Sequence, residues 1–396
     1  MSESRNVALL ATAQALSASG MMTMTLLGGI LGSVYAPRPE LATLPVSLTI
    51  LGLALTTVPA ALLVHRVGRQ RAFIGSALLA SMAALVIALA ITTANFALLC
   101  GAALVLGSNL AFQQQHRFAA AEAVAPAQVG RAVSTVMVGT LVAAALGPQV
   151  ALHLKDLVPG HEYAGSFIGV ALFLLGTAAV LTRYRPPAVA HAAAGGPARP
   201  LRAIVRQPLF LLAVLAGVTS YAGMSFIMTA TPISMHVHDH HGDAATAWVI
   251  QSHLIAMYAP ALVSGRLIQR IGTRAGMTIG LALMLACAGI DAAGHDVMHY
   301  WWGLVLLGVG WNLLFVAGTA LLTTTYTATE RHRAQAVNEF AVFGTQALAS
   351  LLAGPAIHAL GWRDLNVAAA VPMVLFAALL AFGPRPSDRR TRADSR

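Results

Sequence analysis

The feature that most constrains this chain is the recurrence of apolar runs about 20 residues long, as at 41–64 and 72–93. A helix of that length crosses the roughly 30 Å hydrocarbon core of a bilayer. Lipid offers free backbone groups no partner, so only helices or closed barrels span it. A barrel strand alternates polar with apolar residues, and these runs do not. Composition agrees: of 396 residues, 57% are hydrophobic and 10% charged. A soluble domain carries about 25% charged residues. Most of this chain's surface must therefore face lipid.

The runs predict an all-α membrane protein of twelve transmembrane helices. They lie at roughly 7–35, 42–64, 72–93, 96–115, 131–152, 163–182, 208–232, 245–268, 276–294, 300–322, 335–358 and 366–383. The one long connection, 184–206, holds Pro186, Pro187, Pro197, Pro200, Gly195 and Gly196, with five arginines from Arg183 to Arg206. It reads as a cytoplasmic linker between a six-helix bundle at 1–183 and a second at 207–396. The first apolar run has no signal-peptide cleavage site and is expected to stay as the first helix.

A formal charge of +10 could suggest nucleic acid, but the arginines sit in short clusters between the runs, where membrane topology wants them. With both termini in the cytoplasm, 21 of the 24 basic residues fall inside, and only Arg38, Lys155 and Arg363 fall outside. The expected topology is N-in and C-in. The outer loops instead collect acids and histidines, among them His153, Asp156, His161, Glu162, His236, His238, Asp239, His240, His241, Asp243, His295, Asp296 and His299. Cys100 and Cys287 lie inside apolar runs, which leaves no disulfide framework.

The halves repeat. His65-Arg66-Val67-Gly68-Arg69 follows the second helix, and Gln269-Arg270-Ile271-Gly272 follows the eighth, an offset of 272 − 68 = 204 residues. Gly147-Pro148 and Gly354-Pro355 recur at an offset of 207. Parallel repeats of this kind place a substrate site near the midplane, where the halves meet. These residues resemble the major facilitator superfamily, whose loop between the second and third helices has the form G-x-x-x-D-R-x-G-R-R. Arg66, Gly68 and Arg69 match it. Ala61 stands in its first glycine position and His65 in place of the acid; Gln269 takes the acidic position in the second copy. The resemblance implies the superfamily fold, with a gating loop at His65, Arg66, Gly68, Arg69, Gln269, Arg270 and Gly272.

The sharpest chemical signal lies in the seventh and eighth helices, as Met224/Met228 and His253/Met257. Each pair is spaced i, i+4 and so shares one helix face. Thioethers are soft ligands that favour Cu(I), and neutral donors suit a monovalent ion in transit. An ionisable residue in mid-membrane defaults to a functional reading. Against this, methionine is a common gap-filler in helical cores, and a lone buried histidine can be a helix–helix hydrogen bond. M-x-x-x-M followed by H-x-x-x-M resembles the CcoA-like branch of the superfamily, bacterial inner-membrane copper importers serving cytochrome oxidase assembly. A sister branch is similar to riboflavin importers.

Secondary metal candidates are His236, His238, His240, His241 and Met235 at the outer end, with Met21, Met22 and Met24 in the first helix. A further polar set comprises Asn109, Gln113–Gln115, Trp311, Asn312, Asn338, Glu339 and Gln346, with Glu339 expected in an ion pair beside Arg331 and Arg333. No phosphate loop, paired catalytic carboxylates or Ser/His/Asp arrangement occurs, so no enzyme is expected.

The leading expectation is a secondary transporter that imports copper, a monomer in the bacterial inner membrane, with no resident cofactor, no nucleic acid and copper chaperones as partners. The alternatives are an importer of a small organic molecule such as riboflavin, led by the polar and aromatic residues of the fourth and tenth helices, and a non-transporting copper sensor or scaffold.

Overall fold

The computed structural model describes residues 2–125, 128–186, 199–327 and 329–382. Among the described residues there are helices and turns but no strands. The first half contains α1 (Ser2–Tyr35), α2 (Leu44–Val67), α3 (Arg69–Thr92), α4 (Phe96–Glu122), α5 (Val129–His153) and α6 (Ala164–Leu181). A short α7 (Leu201–Val205) precedes α8 (Pro208–Pro232), whose end continues as a π-helical turn over Ile233–His238. Then come α9 (Asp243–Tyr258), α10 (Ala261–Ile271), α11 (Thr273–Ala293), α12 (Val297–Leu322) and α13 (Arg331–Phe382).

Local chemistry explains several ends. Asn95 caps α4, its Oδ1 accepting the Leu98 amide at 2.9 Å. Pro208 opens α8, where a missing N–H costs nothing. Gly68 separates α2 from α3 with φ 84° and ψ 155°, and Gly272 separates α10 from α11 with φ 86° and ψ 158°. That region is essentially reserved for glycine and costs other residues of order 1–3 kcal/mol. The sequence repeat is thus a repeat of backbone geometry.

Among the described residues ten helices are long and apolar enough to cross a membrane, or eleven when α9 and α10, bent by 46°, count as one span. The 52-residue α13 is broken at Gly361, with φ 75° and ψ 178°. Its arms, 331–360 and 362–382, each reach about 30 Å or more at 1.5 Å per residue. The expected count of twelve corresponds to reading those arms as separate crossings.

Within the first half α1 packs on α4, α5 and α6, α2 on α4, and α3 on α4 and α6. Within the second, α8 packs on α12 and α13, α9 on α12, and α11 on α12 and α13. The halves meet where α1 meets α8, α2 meets α13 and α5 meets α9. The chain between them is described only at its ends. Residues 187–198, including Pro187, Gly195, Gly196 and Pro197 of the expected linker, lie outside the described residues, as do the five arginines beyond 382. Where the chain resumes, Arg199 grips Glu330 through Nε at 2.7 Å and through its own backbone amide at 2.9 Å. The Arg199 hydrogen bond holds the Glu330 carboxyl below the usual carboxylate range.

Candidate functional site between the two halves

The two ends of the interface differ. At the histidine-rich end the halves touch. Lys155 Nζ lies 2.7 Å from Asp243 and 2.9 Å from Glu162, and these hydrogen bonds raise the lysine pKa. Gln251 Nε2 donates to the Ala145 carbonyl at 3.2 Å. Deeper in, Ser350 of α13 meets Ser47 of α2 at 2.9 Å and Thr229 of α8 at 3.1 Å.

Toward the arginine-rich end the interface opens into a cavity. Its lining comes from α1 (Gln14, Ala18, Met21, Met22), α4 (Leu110, Gln113, Gln114, Arg117), α5 (Val136, Met137, Thr140) and, from the second half, Tyr258 of α9. The cavity itself is about 90 Å³, and about 530 Å³ with the open solvent at its mouth. The polar side chains are held in place. Gln14 donates to Thr140 Oγ1 at 3.0 Å and meets His116 Nδ1 at 2.8 Å. Gln113 donates to Ser17 Oγ at 3.0 Å, and Asn109 donates to the same oxygen at 2.7 Å.

The second half answers with aromatic rings. Tyr221 of α8 stands edge-on to Trp311 and Phe315 of α12, both at 5.1 Å between centroids, and to Phe343 of α13 at 5.5 Å. Trp311 stacks on Phe315 at 5.5 Å and meets Tyr258 at 6.1 Å. Such offset and edge-to-face pairs are the favoured geometries. Tyr258 joins this group to the cavity.

The four residues expected to hold copper lie on α8 and α9. Met224, Met228, His253 and Met257 are all buried. Both α8 and α9 pack on α12. His253 Nδ1 donates to the Leu304 carbonyl of α12 at 2.7 Å, and Asn312 of α12 donates to the Met257 carbonyl at 2.9 Å. Between these bonds Gly308 of α12 lets the helices close, since a Cβ there would stand 2.8 Å from the His253 carbonyl oxygen. The histidine thus bonds across a helix crossing through Nδ1 while its Nε2 is buried without a hydrogen-bond partner, and Met224, Met228 and Met257 belong to the hydrophobic core.

The secondary candidates are likewise dispersed. His236 pairs with Asp243 at 3.2 Å, His241 with the His295 carbonyl at 2.8 Å, and His238 and His240 are exposed. Met24 and Met235 are fully buried, while Met21 and Met22 line the cavity. Among the described residues no group of three or more His, Cys, Asp or Glu is placed to hold a metal ion. In the loop compared above, His65, Arg66, Gln269 and Arg270 are exposed, and Arg69 makes a two-pronged ion pair with Glu122 of α4 at 2.5 and 3.0 Å. Thr273 occupies the matching position of the second half, so that pair has no counterpart there. Glu339 makes no ion pair with Arg331 or Arg333 among the described residues, contrary to expectation.

The sequence profile of the Major Facilitator Superfamily matches residues 8–236 and again 213–396. The chain belongs to the major facilitator superfamily. It is a multi-pass transport protein of the bacterial inner membrane, not an enzyme. A solved structure of a bacterial homologue of the human lysosomal transporter Spinster, inward-facing and unoccupied, shares the superfamily fold with a TM-score of 0.73 at 15% identity, over 96% of each chain. The riboflavin transporter RfnT of Brucella anthropi is 42% identical over 96% of both chains. An uncharacterised superfamily transporter of Bacillus subtilis, YddS, is 25% identical over 94% of this chain and 89% of its own.

The whole-length relative at 42% identity corrects the copper reading, because it is a riboflavin transporter. The expectations of copper as cargo and of cytochrome oxidase assembly fall with it. Gln14, Thr140, Tyr258, Phe315 and Phe343 carried no assigned role in the sequence reading. Gln14 alone bore a usable signal, a polar residue inside an apolar run.

Proposed function

We propose that this protein imports riboflavin across the inner membrane by alternating access of its two halves, acting as a monomer. The 42% identity to a riboflavin transporter over 96% of both chains carries this reading. The cavity supports it. A flavin is a flat heteroaromatic ring bearing a polyhydroxyl tail, and the interface offers both aromatic rings and fixed amides and hydroxyls. With the arginine-rich end in the cytoplasm, contacts at Lys155–Asp243 and Ser47–Ser350 close the outer end while the cavity opens inward. This is the arrangement of a carrier facing the cytoplasm.

The test is growth of a riboflavin-auxotrophic bacterial host on micromolar riboflavin, together with uptake of labelled riboflavin. Expression of this chain is expected to restore growth and to give saturable uptake. Absence of both in cells whose membranes contain the protein would refute the proposal.

A further inference from the structure

The two sides of the cavity differ in kind. The first half contributes Gln14, Gln113, Gln114, Arg117 and Thr140, and no aromatic ring. The second contributes Tyr258, backed by Trp311, Tyr221, Phe315 and Phe343. Tyr221, Tyr258, Phe315 and Phe343 are half-buried, and Tyr258 borders the cavity directly. One polar atom in the wall is unspent. Trp311 Nε1 is buried without a hydrogen-bond partner, although its residue is only 5% exposed. A buried donor left unpaired is destabilising, so native proteins give such groups a partner. A ring carbonyl or ring nitrogen of a stacked ligand would supply one. Asn312 Oδ1 and Gln346 Oε1 are also buried and unpartnered, on α12 and α13.

Resting on the riboflavin reading, we infer that the halves divide the substrate between them. The second half binds the flat ring, through stacking on Tyr221, Trp311 and Tyr258 and through donation from Trp311 Nε1. The first half binds the polyhydroxyl tail. Gln113 and Thr140 face the cavity with a carboxamide oxygen and a hydroxyl, and their geometry is fixed by Ser17 and Gln14. Ring and tail engage opposite halves, so only a molecule carrying both parts bridges the interface.

Lumiflavin, the ring with a methyl group in place of the tail, separates the two contributions. Equilibrium dialysis of purified protein is run with riboflavin and with lumiflavin, beside uptake of labelled riboflavin in cells. Trp311→Leu and Tyr221→Leu are expected to weaken both ligands about tenfold, the loss seen when one stacking ring is removed from a nucleobase site. Gln113→Leu and Thr140→Val are expected to weaken riboflavin by a similar factor and leave lumiflavin unchanged. Trp311→Phe, which keeps the ring but not the donor, is expected to fall between wild type and Trp311→Leu, and guards against a misfolded leucine variant. Equal losses for both ligands from first-half variants would overturn the division, as would unchanged lumiflavin binding in both Trp311 variants. Absence of wild-type uptake with these binding ratios intact would refute riboflavin import and leave the division standing.

Discussion

The crossing of α2 with α4 and the crossing of α9 with α12 are the same joint built twice. Gly107 of α4 faces the backbone of Thr49, and Gly308 of α12 faces the backbone of His253. The offsets are 308 − 107 = 201 and 253 − 49 = 204, so the repeat preserves the close approach. What changes is the side chain on the crossed helix. Thr49 turns its hydroxyl back to the Pro45 carbonyl of its own helix at 2.9 Å, whereas His253 reaches across to Leu304. The comparison teaches that a mid-membrane histidine can be a variation on a packing joint. Its partner in the repeat is a threonine that no one would take for a ligand.

If the joint is shared, filling it should harm both halves, and the first half more. A methyl group on Gly107 would run into the Thr49 backbone, which cannot move aside without bending α2. Overpacking of this kind costs typically 1–3 kcal/mol. Gly107→Ala is expected at or above the upper end of that range, and Gly308→Ala near its middle. Thermal unfolding in detergent should show both falls in Tm. An unchanged Tm for Gly308→Ala would break the equivalence.

The next effect isolates the histidine. Hydrogen bonds between membrane helices contribute roughly 0.6 kcal/mol on average and up to about 1.7. His253→Leu is expected to lose about that much, and Thr49→Val less, since its bond stays within one helix. A loss for Thr49→Val equal to that for His253→Leu would show that the crossing bond is not special. Met224→Leu and Met228→Leu should be milder still, below about 1.5 kcal/mol, because the volume is nearly kept. Their riboflavin uptake should match wild type within a factor of two. A loss of tenfold or more would return these methionines to the transport path.

Much of this was legible in the chain. The length of the apolar runs set the helices, and the arginine clusters and the two Gly68/Gly272 loops announced the repeat. Asn109, Gln113, Trp311 and Asn312 were recognisable as interior polar residues, because burying them in lipid would be costly. The site itself was not legible. Spacing at i, i+4 places Met224 beside Met228 on one face, but it cannot say whether the next helix in sequence is the next in space. Here α8 and α9 each pack on α12. The aromatic wall draws on α8, α9, α12 and α13, over more than a hundred residues of chain, and no local pattern links Tyr221 to Phe343.

The smallest expected effect concerns the connections at the arginine-rich end, which include the ion pairs Arg69–Glu122 in the first half and Arg199–Glu330 in the second. Arg199 depresses the Glu330 pKa below its ordinary value of 4.5. A depressed acid contributes stability that is fully present above the unfolded value and is lost as pH falls through the folded one. The Glu330 anchor should therefore hold unchanged from about pH 9 down to about pH 5 and weaken only in stronger acid. The difference in Tm between wild type and Glu330→Gln should be small and flat across that window, then shrink below it. A difference that instead vanished between pH 6 and 7 would mean that a histidine, not Glu330, governs this end. The second half would then be tied to its linker by a switch that the first half lacks.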